Sequence, residues 1–232
     1  MLTSFKGFLP SGACPYLPGR EWAQDVLVVT SIAPDEYLRL LDQGYRRSGR
    51  YVYRPRCVGC AECRPLRVPV AGFTPSRTQK RILRINRDLA VTVGPPEFDE
   101  ERLSLQNRYG EERHEDAPLD EDDFRQLFVD SPVPSRQIAY RLDGRLVGLA
   151  LIDELGPVHS AVYTCYDTTL FKRSLGTFSV LYEIEHARRS GARWLHLGFH
   201  VAPCGRMAYK SKFRPCEKLS PGRVWEPFRA AP

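Results

Sequence analysis

The second half of the chain alternates hydrophobic and polar residues in runs that predict strands. RQIAYRL begins at Arg136 and RLVGLALIDEL at Arg145, and the Asp143-Gly144 pair between these runs predicts a β-hairpin. PVHSAVYTCYD predicts a third strand and RWLHLGF a fourth, separated by a helix over residues 176–190. Antiparallel strands, a helix and another strand are typical of an α+β fold. The predicted buried face of the helix is Val180, Leu181, Ile184 and Ala187.

The first half carries two helix patterns. After a short strand at residues 25–30, Pro34 suits the first turn of a helix that ends near Gln43. Ser76 and Gln79 form a capping-box sequence that begins a second helix, preceded by a short strand, RVPV. This second helix divides into an apolar face (Ile82, Ile85, Leu89) and a basic stripe (Arg77, Lys80, Arg81, Arg84).

A Pro-Pro break at residues 95–96 separates these elements from two acidic helical segments at residues 98–112 and 120–129. We therefore predict two domains. Residues 1–95 form a smaller α/β region with the basic helix and most of the cysteines, and residues 96–232 form the α+β domain. A helical turn around residues 207–213 follows its last strand.

The charge distribution narrows the choice of partner. Residues 96–130 hold thirteen acidic residues and four arginines, a net charge of −9. Since the whole chain has a net charge of +6, the remaining residues carry +15. This segregation favours a polyanionic partner facing one side of the molecule, although a merely solvated basic surface is the alternative. The longest apolar run, residues 146–152, is too short to cross a membrane, and MLTSFKGFLP lacks the pattern of a signal peptide. We expect a cytoplasmic protein.

Three of the seven cysteines are crowded into a C-x-x-C-x-x-C run. Without a secretion signal, reduced thiols are expected rather than disulfides. Zinc sites and iron–sulfur clusters favour four ligands. The candidate ligands are Cys57, Cys60 and Cys63 with Cys14 as the fourth, and the alternative is a set of small buried thiols.

The loop DTTLFKRSLGTF lies between the third strand and the next helix. Acetyl-CoA-dependent enzymes of the GNAT acyltransferase fold, which has this order of strands and helix, use (Arg or Gln)-x-x-Gly-x-(Gly or Ala) there. Arg173 and Gly176 match, but Phe178 stands where a minimal side chain is needed, which favours the fold and disfavours acetyl-CoA. A charged tRNA is an acyl donor carried on a polyanion. Its phosphates would contact Arg77, Lys80, Arg81, Arg84, Lys172 and Arg173.

An aminoacyl ester is already activated, so transfer to an α-amine needs positioning, proton handling and oxyanion stabilisation rather than a cofactor. Tyr166 and Asp167, at the end of the third strand, are candidates for holding the amine. Arg206, Lys210 and Arg214 are candidates for binding an acidic substrate side chain. The histidines are scattered, and we expect His186 on the exposed side of its helix.

Several long stretches together resemble one family. They are CPYLPGRE (14–21), GYRRSGRYVYRP (44–55), PSRTQKR (75–81), YDTTLFKRSLGTFS (166–179) and LGFHVAPCGRMAYKSKFRP (197–215). Over nearly its whole length the chain resembles the aminoacyl-tRNA–protein transferases of the N-end rule, most closely the bacterial aspartate/glutamate leucyltransferases. The resemblance implies transfer of Leu from leucyl-tRNA to proteins that begin with Asp or Glu, marking them for degradation. It also adds Tyr209, in the last stretch, to the acceptor-binding set.

The chain departs from the family pattern at one point, and three other interpretations are possible. Eukaryotic members have a C-x-x-C near the N-terminus in a proposed metal or iron–sulfur site, but here Leu17 replaces its second cysteine. Arginyl transfer is the alternative within the family. An acetyl-CoA-dependent acetyltransferase and a non-catalytic zinc-ribbon RNA-binding module are the alternatives outside it.

Overall fold

The computed structural model describes residues 1–229, which form two β-sheets and six helices. The strands are β1 (Leu2–Ala13), β2 (Glu21–Ser31), β3 (Arg46–Ser48), β4 (Tyr51–Pro55), β5 (Arg64–Pro69), β6 (Ala90–Gly94), β7 (Ser135–Leu142), β8 (Arg145–Glu154), β9 (Val158–Tyr166), β10 (Trp194–His200), β11 (Glu217–Leu219) and β12 (Trp225–Pro227). The helices are α1 (Pro34–Asp42), α2 (Arg77–Ile85), α3 (Glu100–His114), α4 (Glu121–Phe124), α5 (Leu175–Arg189) and α6 (Gly205–Ala208). A π-helical turn (Arg125–Val129) extends α4, and 3₁₀ turns cover Thr168–Arg173 and Tyr209–Lys212.

The predicted β-hairpin is confirmed. Asp143 and Gly144 have φ angles of +49° and +83°, the left-handed pair that a two-residue turn between twisted strands requires. β7 and β8 pair antiparallel from Leu142 opposite Arg145 to Ser135 opposite Asp153. Both strands are largely buried because helices cover the two faces of the sheet that they form.

The large sheet has eight strands in the order β12-β11-β5-β10-β9-β8-β7-β6. Helices α2 and α5 pack on one face, around Ile82, Leu181 and Ile184, and α3 and α4 pack on the other, around Leu105 and Phe124. The small sheet, in the order β1-β2-β4-β3, shares a third core with α1. The α+β architecture predicted from the order of elements is confirmed.

The capping box of α2 is present, with Gln79 N–H donating to Ser76 Oγ and Ser76 N–H donating to Gln79 Oε1 at 2.8 Å. The helix ends at Ile85, earlier than the apolar spacing predicted, and Leu89 is buried just outside it. Strand β6 follows as an edge of the large sheet, and neither β6 nor β1 is apparent from the sequence. Strands β5 and β6 precede residue 95 in the chain but belong to the large sheet. The domain boundary at residues 95–96 stays a prediction.

The GNAT-like feature of the large sheet is a splay between β9 and β10. These strands pair in parallel only from Val158 opposite Trp194 to Ser160 opposite His196. Beyond that point β9 stays with β8 while β10 stays with β5, and the register shifts at Gly198, whose φ is +80°. The two strands diverge and open a cleft. Within residues 1–229, no helix is long and apolar enough to span a bilayer.

Candidate active site

The cleft between β9 and β10 holds a cavity of about 690 Å³. Its walls are β3, residues 161–163 of β9, residues 197–199 of β10, the turn after β10 and one side of α3. Tyr16 and Pro15, from the loop between β1 and β2, complete it. The cavity is therefore enclosed by segments from both halves of the chain.

Arg46 is the buried cation at the base of the splay, with 6% of its surface exposed. Its Nη2 donates to the carbonyl oxygen of Ala161 on β9, and its Nη1 is buried without a partner among residues 1–229. A Cβ atom at Gly198 would lie 3.5 Å from Arg46 Nε, so glycine there leaves room for the guanidinium. Arg46 was not predicted from the sequence. A signal was present, because GYRRSGRYVYRP alternates like a strand and places Arg46 at a position that a buried side chain would occupy.

Arg47 holds β3 in place. Its guanidinium donates to both carboxylate oxygens of Asp153 on β8, and the side chains of this ion pair are 1% and 0% exposed. Ser135 Oγ donates to the same carboxylate at 2.7 Å. The charges are thus paired and hydrogen-bonded, as burial requires. Arg47 thereby positions its neighbour Arg46 against the cleft.

Lys210 is the second cation in the cavity. Its Nζ donates to the carbonyl oxygen of Phe199 at 3.0 Å and lies 3.4 Å from where a Cβ of Gly198 would stand. Burial, together with the nearby charge of Arg46, lowers the pKa of Lys210 to about 7 against the opposing effects of Cys204 and Cys63. No carboxylate among residues 1–229 forms an ion pair with Arg46 or Lys210. An anion bound between the two groups would supply the missing charge partner and would favour the protonated form of Lys210.

The other predicted acceptor-binding residues divide into two groups. Arg206 lines the cavity and spans its edge, because Nη2 donates to Pro15 O at 3.0 Å and Nη1 to Arg113 O at 3.3 Å. Tyr209 and Arg214 do not line the cavity. Arg214 is exposed, and its Nε donates to Ser211 O at 3.0 Å.

Tyr166 and Tyr209 belong to an aromatic cluster next to the cavity. The Tyr166 ring lies 4.9 Å from that of Tyr109, and a Cβ at Gly176 would be 2.9 Å from Tyr166 Cε1, so this glycine makes room for the ring. Burial raises the pKa of Tyr209, and nearby Glu183 and Tyr166 raise it further. The Tyr209 hydroxyl is therefore held in its neutral form.

Asp167, the other residue predicted to hold the amine, has its carboxylate engaged within the chain. It caps the following 3₁₀ turn by accepting from Thr169 N–H at 3.0 Å, and it pairs with Arg145. Partial burial raises its pKa, but the hydrogen bonds from Thr169 and Arg145 outweigh that effect and leave the pKa below its usual range. Asp167 is thus placed to fix the loop after β9.

The basic stripe of α2 is displayed on the surface. All four of its side chains are exposed, they line a shallow groove together, and none forms an ion pair with a residue in the range 1–229. Lys172 is also exposed, next to the ring of Phe171. Arg173 differs, because its guanidinium is bound to Asp88 and to Ile85 O. Five of the six side chains predicted to contact phosphates thus form no ion pair with residues 1–229.

The four candidate metal ligands lie in one region beside the cavity. Burial, with smaller contributions from the neighbouring Cys14, Cys57 and Cys60, raises the pKa of the Cys63 thiol to about 12. A closed zinc site with metal–sulfur bonds of about 2.3 Å places its sulfurs roughly 4 Å apart. Within residues 1–229, no three of these sulfurs lie within 4.8 Å of one another. The donor type suits a metal but the spacing does not, so no step of the chemistry is assigned to one.

Two expectations about side-chain direction were wrong. The ring of Phe178 is 5% exposed and packs 5.4 Å from the ring of Tyr140, inside the core, so it does not cover the loop where it was expected to obstruct acetyl-CoA. His186 is half-buried rather than on the exposed side of α5, because it contacts Glu154 at 2.8 Å. In both cases the residue packs against the sheet rather than facing outwards.

The splayed sheet with a cavity between its diverging strands is a GNAT-like fold. Sequence models of the arginine-tRNA-protein transferase family match the chain in two parts, the N terminus over residues 12–81 and the C terminus over residues 101–220. The chain belongs to this family, and the predictions of the family and of an aminoacyltransferase are confirmed.

Relatives of similar length support the same conclusion. The chain is 42% identical to the aspartate/glutamate leucyltransferase of Pseudomonas fluorescens (strain SBW25) over 212 residues, which cover 89% of this chain and 90% of that protein. It is 41% identical to the enzyme of the same name from Chromohalobacter salexigens over 225 residues, 94% of this chain and 90% of that protein.

A solved structure agrees on the fold alone. The DUF2156 C-terminal domain of a protein assigned as a lysylphosphatidylglycerol synthetase, from Agrobacterium fabrum, superimposes with a TM-score of 0.52 and 16% identity. The match covers 85% of this chain and 64% of that chain.

Proposed function

We propose that this enzyme transfers Leu from leucyl-tRNA to the α-amine of proteins that begin with Asp or Glu. The observation that carries the proposal is the pair of cations, Arg46 and Lys210, in a cavity where neither has an ion-pair partner among the described residues. A carboxylate on the first side chain of the acceptor would supply the missing partner. The curated relatives, named aspartate/glutamate leucyltransferases, agree with such an acceptor.

In the proposed reaction, the α-amine attacks the carbonyl carbon of the leucyl ester. A C–N bond forms, the bond from carbon to the ribose oxygen breaks, and the amine proton ends on the departing hydroxyl. Because the ester is activated, the chain has to align the reactants rather than supply a nucleophile. Arg46 and Lys210 hold the acceptor carboxylate, and Asp167 keeps the loop after Tyr166 in position beside the cavity, where the Tyr166 ring would have to turn to reach the amine. The product carries Leu as its new first residue, and this Leu marks the protein for degradation.

The apolar part of the cavity favours leucyl over arginyl transfer. Leu119, Leu127, Phe128 and Val162 line it, which suits a branched aliphatic side chain. Asp116 is a carboxylate in the lining, but it is exposed and therefore a poor partner for a guanidinium held in the cavity.

The tRNA body would lie on the basic stripe of α2 and on Lys172. These residues are exposed and unpaired within the described chain, so they are free to displace counterions from phosphates. Such contacts give affinity without reading the sequence of the RNA. Since charged tRNA is a cytoplasmic molecule, we place the reaction in the cytoplasm.

The test is a transfer assay with two donors and two acceptors. Leucyl-tRNA and arginyl-tRNA, each labelled on the amino acid, are incubated with peptides that differ only in beginning with Asp or Asn. We expect label from leucyl-tRNA on the Asp peptide alone. Label from arginyl-tRNA instead would change the donor, and equal labelling of both peptides would remove the role given to Arg46 and Lys210.

A further inference from the structure

Three potential metal ligands meet away from the cavity, where the β8–β9 hairpin contacts the last turn of α5. Glu154 ends β8, His159 lies near the start of β9, and His186 is in the last turn of α5. Each offers one ligand atom within 4.8 Å of the other two. None of the three lines the cavity, so the proposed transfer reaction does not account for their clustering.

His159 has a nitrogen with no partner. The residue is 2% exposed, and its Nε2 lies 3.2 Å from Ser190 Oγ, whose single proton has an acceptor in Ala187 O at 3.0 Å. In the tautomer in which Nε2–H donates to Ser190 Oγ, Nδ1 keeps a bare lone pair. Nδ1 is buried without a partner among residues 1–229. An unsatisfied buried acceptor costs free energy, and a bound cation would remove that cost.

The other two ligands are already held together. His186 Nε2 lies 2.8 Å from Glu154 Oε1, and Arg136 Nε lies 3.4 Å from Glu154 Oε2. The carboxylate is therefore fixed from two sides while His186 is oriented towards it. Two imidazoles with one carboxylate suit zinc, whereas calcium and magnesium prefer oxygen ligands alone.

We propose that Glu154, His159 and His186 bind one Zn²⁺ ion that fastens the last turn of α5 to the β8–β9 hairpin. The ion takes the free lone pair of His159, a carboxylate oxygen of Glu154 and one nitrogen of His186, with water completing four-fold coordination. His186 exchanges its hydrogen bond to Glu154 for a bond to the metal. The site is separate from the four cysteines and holds the scaffold of the cavity rather than its chemistry.

The test must separate this site from the thiols. Full-length protein with Cys57, Cys60 and Cys63 replaced by Ser is freed of metal and titrated with Zn²⁺ by calorimetry. We expect one ion per chain, and an affinity at least about 100-fold lower after His159→Ala, since the loss of even an outer-shell partner costs 10–100-fold. His114→Ala, which removes an exposed imidazole elsewhere, should leave the affinity unchanged.

A second measurement covers the case in which the cysteine variant does not fold. Zn²⁺ should raise the melting temperature of the wild-type protein more than that of Glu154→Gln, because Gln keeps an acceptor for His186 but loses the charge. Equal shifts in the two proteins, or equal affinities with and without His159, would overturn the proposal.

Discussion

The guanidinium of Arg173 donates to both carboxylate oxygens of Asp88, each at 2.8 Å. Its Nη1 also donates to Ile85 O at 3.0 Å, so Arg173 joins the loop before α5 to the C-terminal end of α2. A bidentate pair of this kind has little charge left for an RNA phosphate. The predicted tRNA-binding residues therefore divide into five side chains that are free among residues 1–229, four on α2 and Lys172, and one structural member, Arg173.

Replacing Arg77, Lys80, Arg81 and Arg84 together by Gln should weaken tRNA binding and flatten its dependence on salt. Each lost phosphate contact reduces the steepness of log K against log salt by about 0.9 on a duplex, so the loss of all four contacts should reduce it by roughly 3.6. The measurement is a tRNA dissociation constant across a salt series.

The matched control for that variant is removal of four exposed positive charges elsewhere, Lys6, Arg20, Arg193 and Arg223, also by Gln. This control changes the net charge by the same amount as the stripe variant, but most of the salt dependence of tRNA binding should remain. Equal slopes in the two variants would mean that the stripe is only solvated. Arg173→Ala, by contrast, should lower the melting temperature and leave the slope close to that of the wild type.

Lys210→Met should harm acidic acceptors selectively. Met retains most of the volume but cannot pair with a carboxylate, and a hydrogen bond to a charged group contributes about 1.5–3 kcal/mol. We expect kcat/KM for the Asp peptide to fall roughly 10- to 100-fold, while the dissociation constant for leucyl-tRNA changes little. Arg214→Met is the control, because Arg214 lies outside the cavity. A larger effect on tRNA than on the peptide would move Lys210 to the donor side.

Glu183 should make the protein less stable as the pH rises towards neutrality. Burial raises its pKa from 4.5 to about 7, against the hydrogen bond from Ser179 Oγ, and the side chain is 1% exposed. The folded chain thus keeps a proton that the unfolded chain loses above pH 4.5, so stability falls between about pH 4.5 and 7. The shift corresponds to a loss on the order of 3 kcal/mol.

Glu183→Gln removes this titration because Gln resembles the protonated acid. The variant should melt at the same temperature as the wild type near pH 4.5 and above it at pH 7.5. Glu185→Gln is the control on the same helix. Its carboxylate pairs with Arg188 and Arg189, so its loss should lower stability slightly at neutral pH. A wild-type stability that does not decline from pH 4.5 to 7 relative to Glu183→Gln would contradict the assignment.

Local sequence signals predicted local structure well, and the limits are physical. The Asp143-Gly144 turn and the Ser76–Gln79 capping box each depend on residues within one turn of the chain, and both are present. Arg46 and Arg47 could not be assigned this way, because their partners Ala161 and Asp153 lie 115 and 106 residues further along. The prediction for Phe178 was wrong for a related reason. The sequence gives its spacing from Gly176, but the direction of its ring is set by packing against Tyr140.

The buried ion pair between Arg47 and Asp153 should couple stability to acceptor recognition. Asp153→Leu alone leaves a buried guanidinium without its carboxylate, and breaking such a pair by removing one partner costs about 3–5 kcal/mol. Arg47→Met alone should cost a similar amount. The double variant removes both charges and is expected to recover most of that loss. Urea unfolding of the four proteins provides the cycle.

Activity then distinguishes stability from positioning in the double variant. If Arg47 serves to place Arg46 against Ala161, a stable protein lacking the ion pair should bind leucyl-tRNA normally yet show a raised KM for the Asp peptide. The reason is that β3 reaches the splayed strands through these two adjacent arginines. Purely additive losses in the unfolding cycle would show that the two charges do not interact. An unchanged KM in a folded double variant would show that Arg46 keeps its position without Arg47.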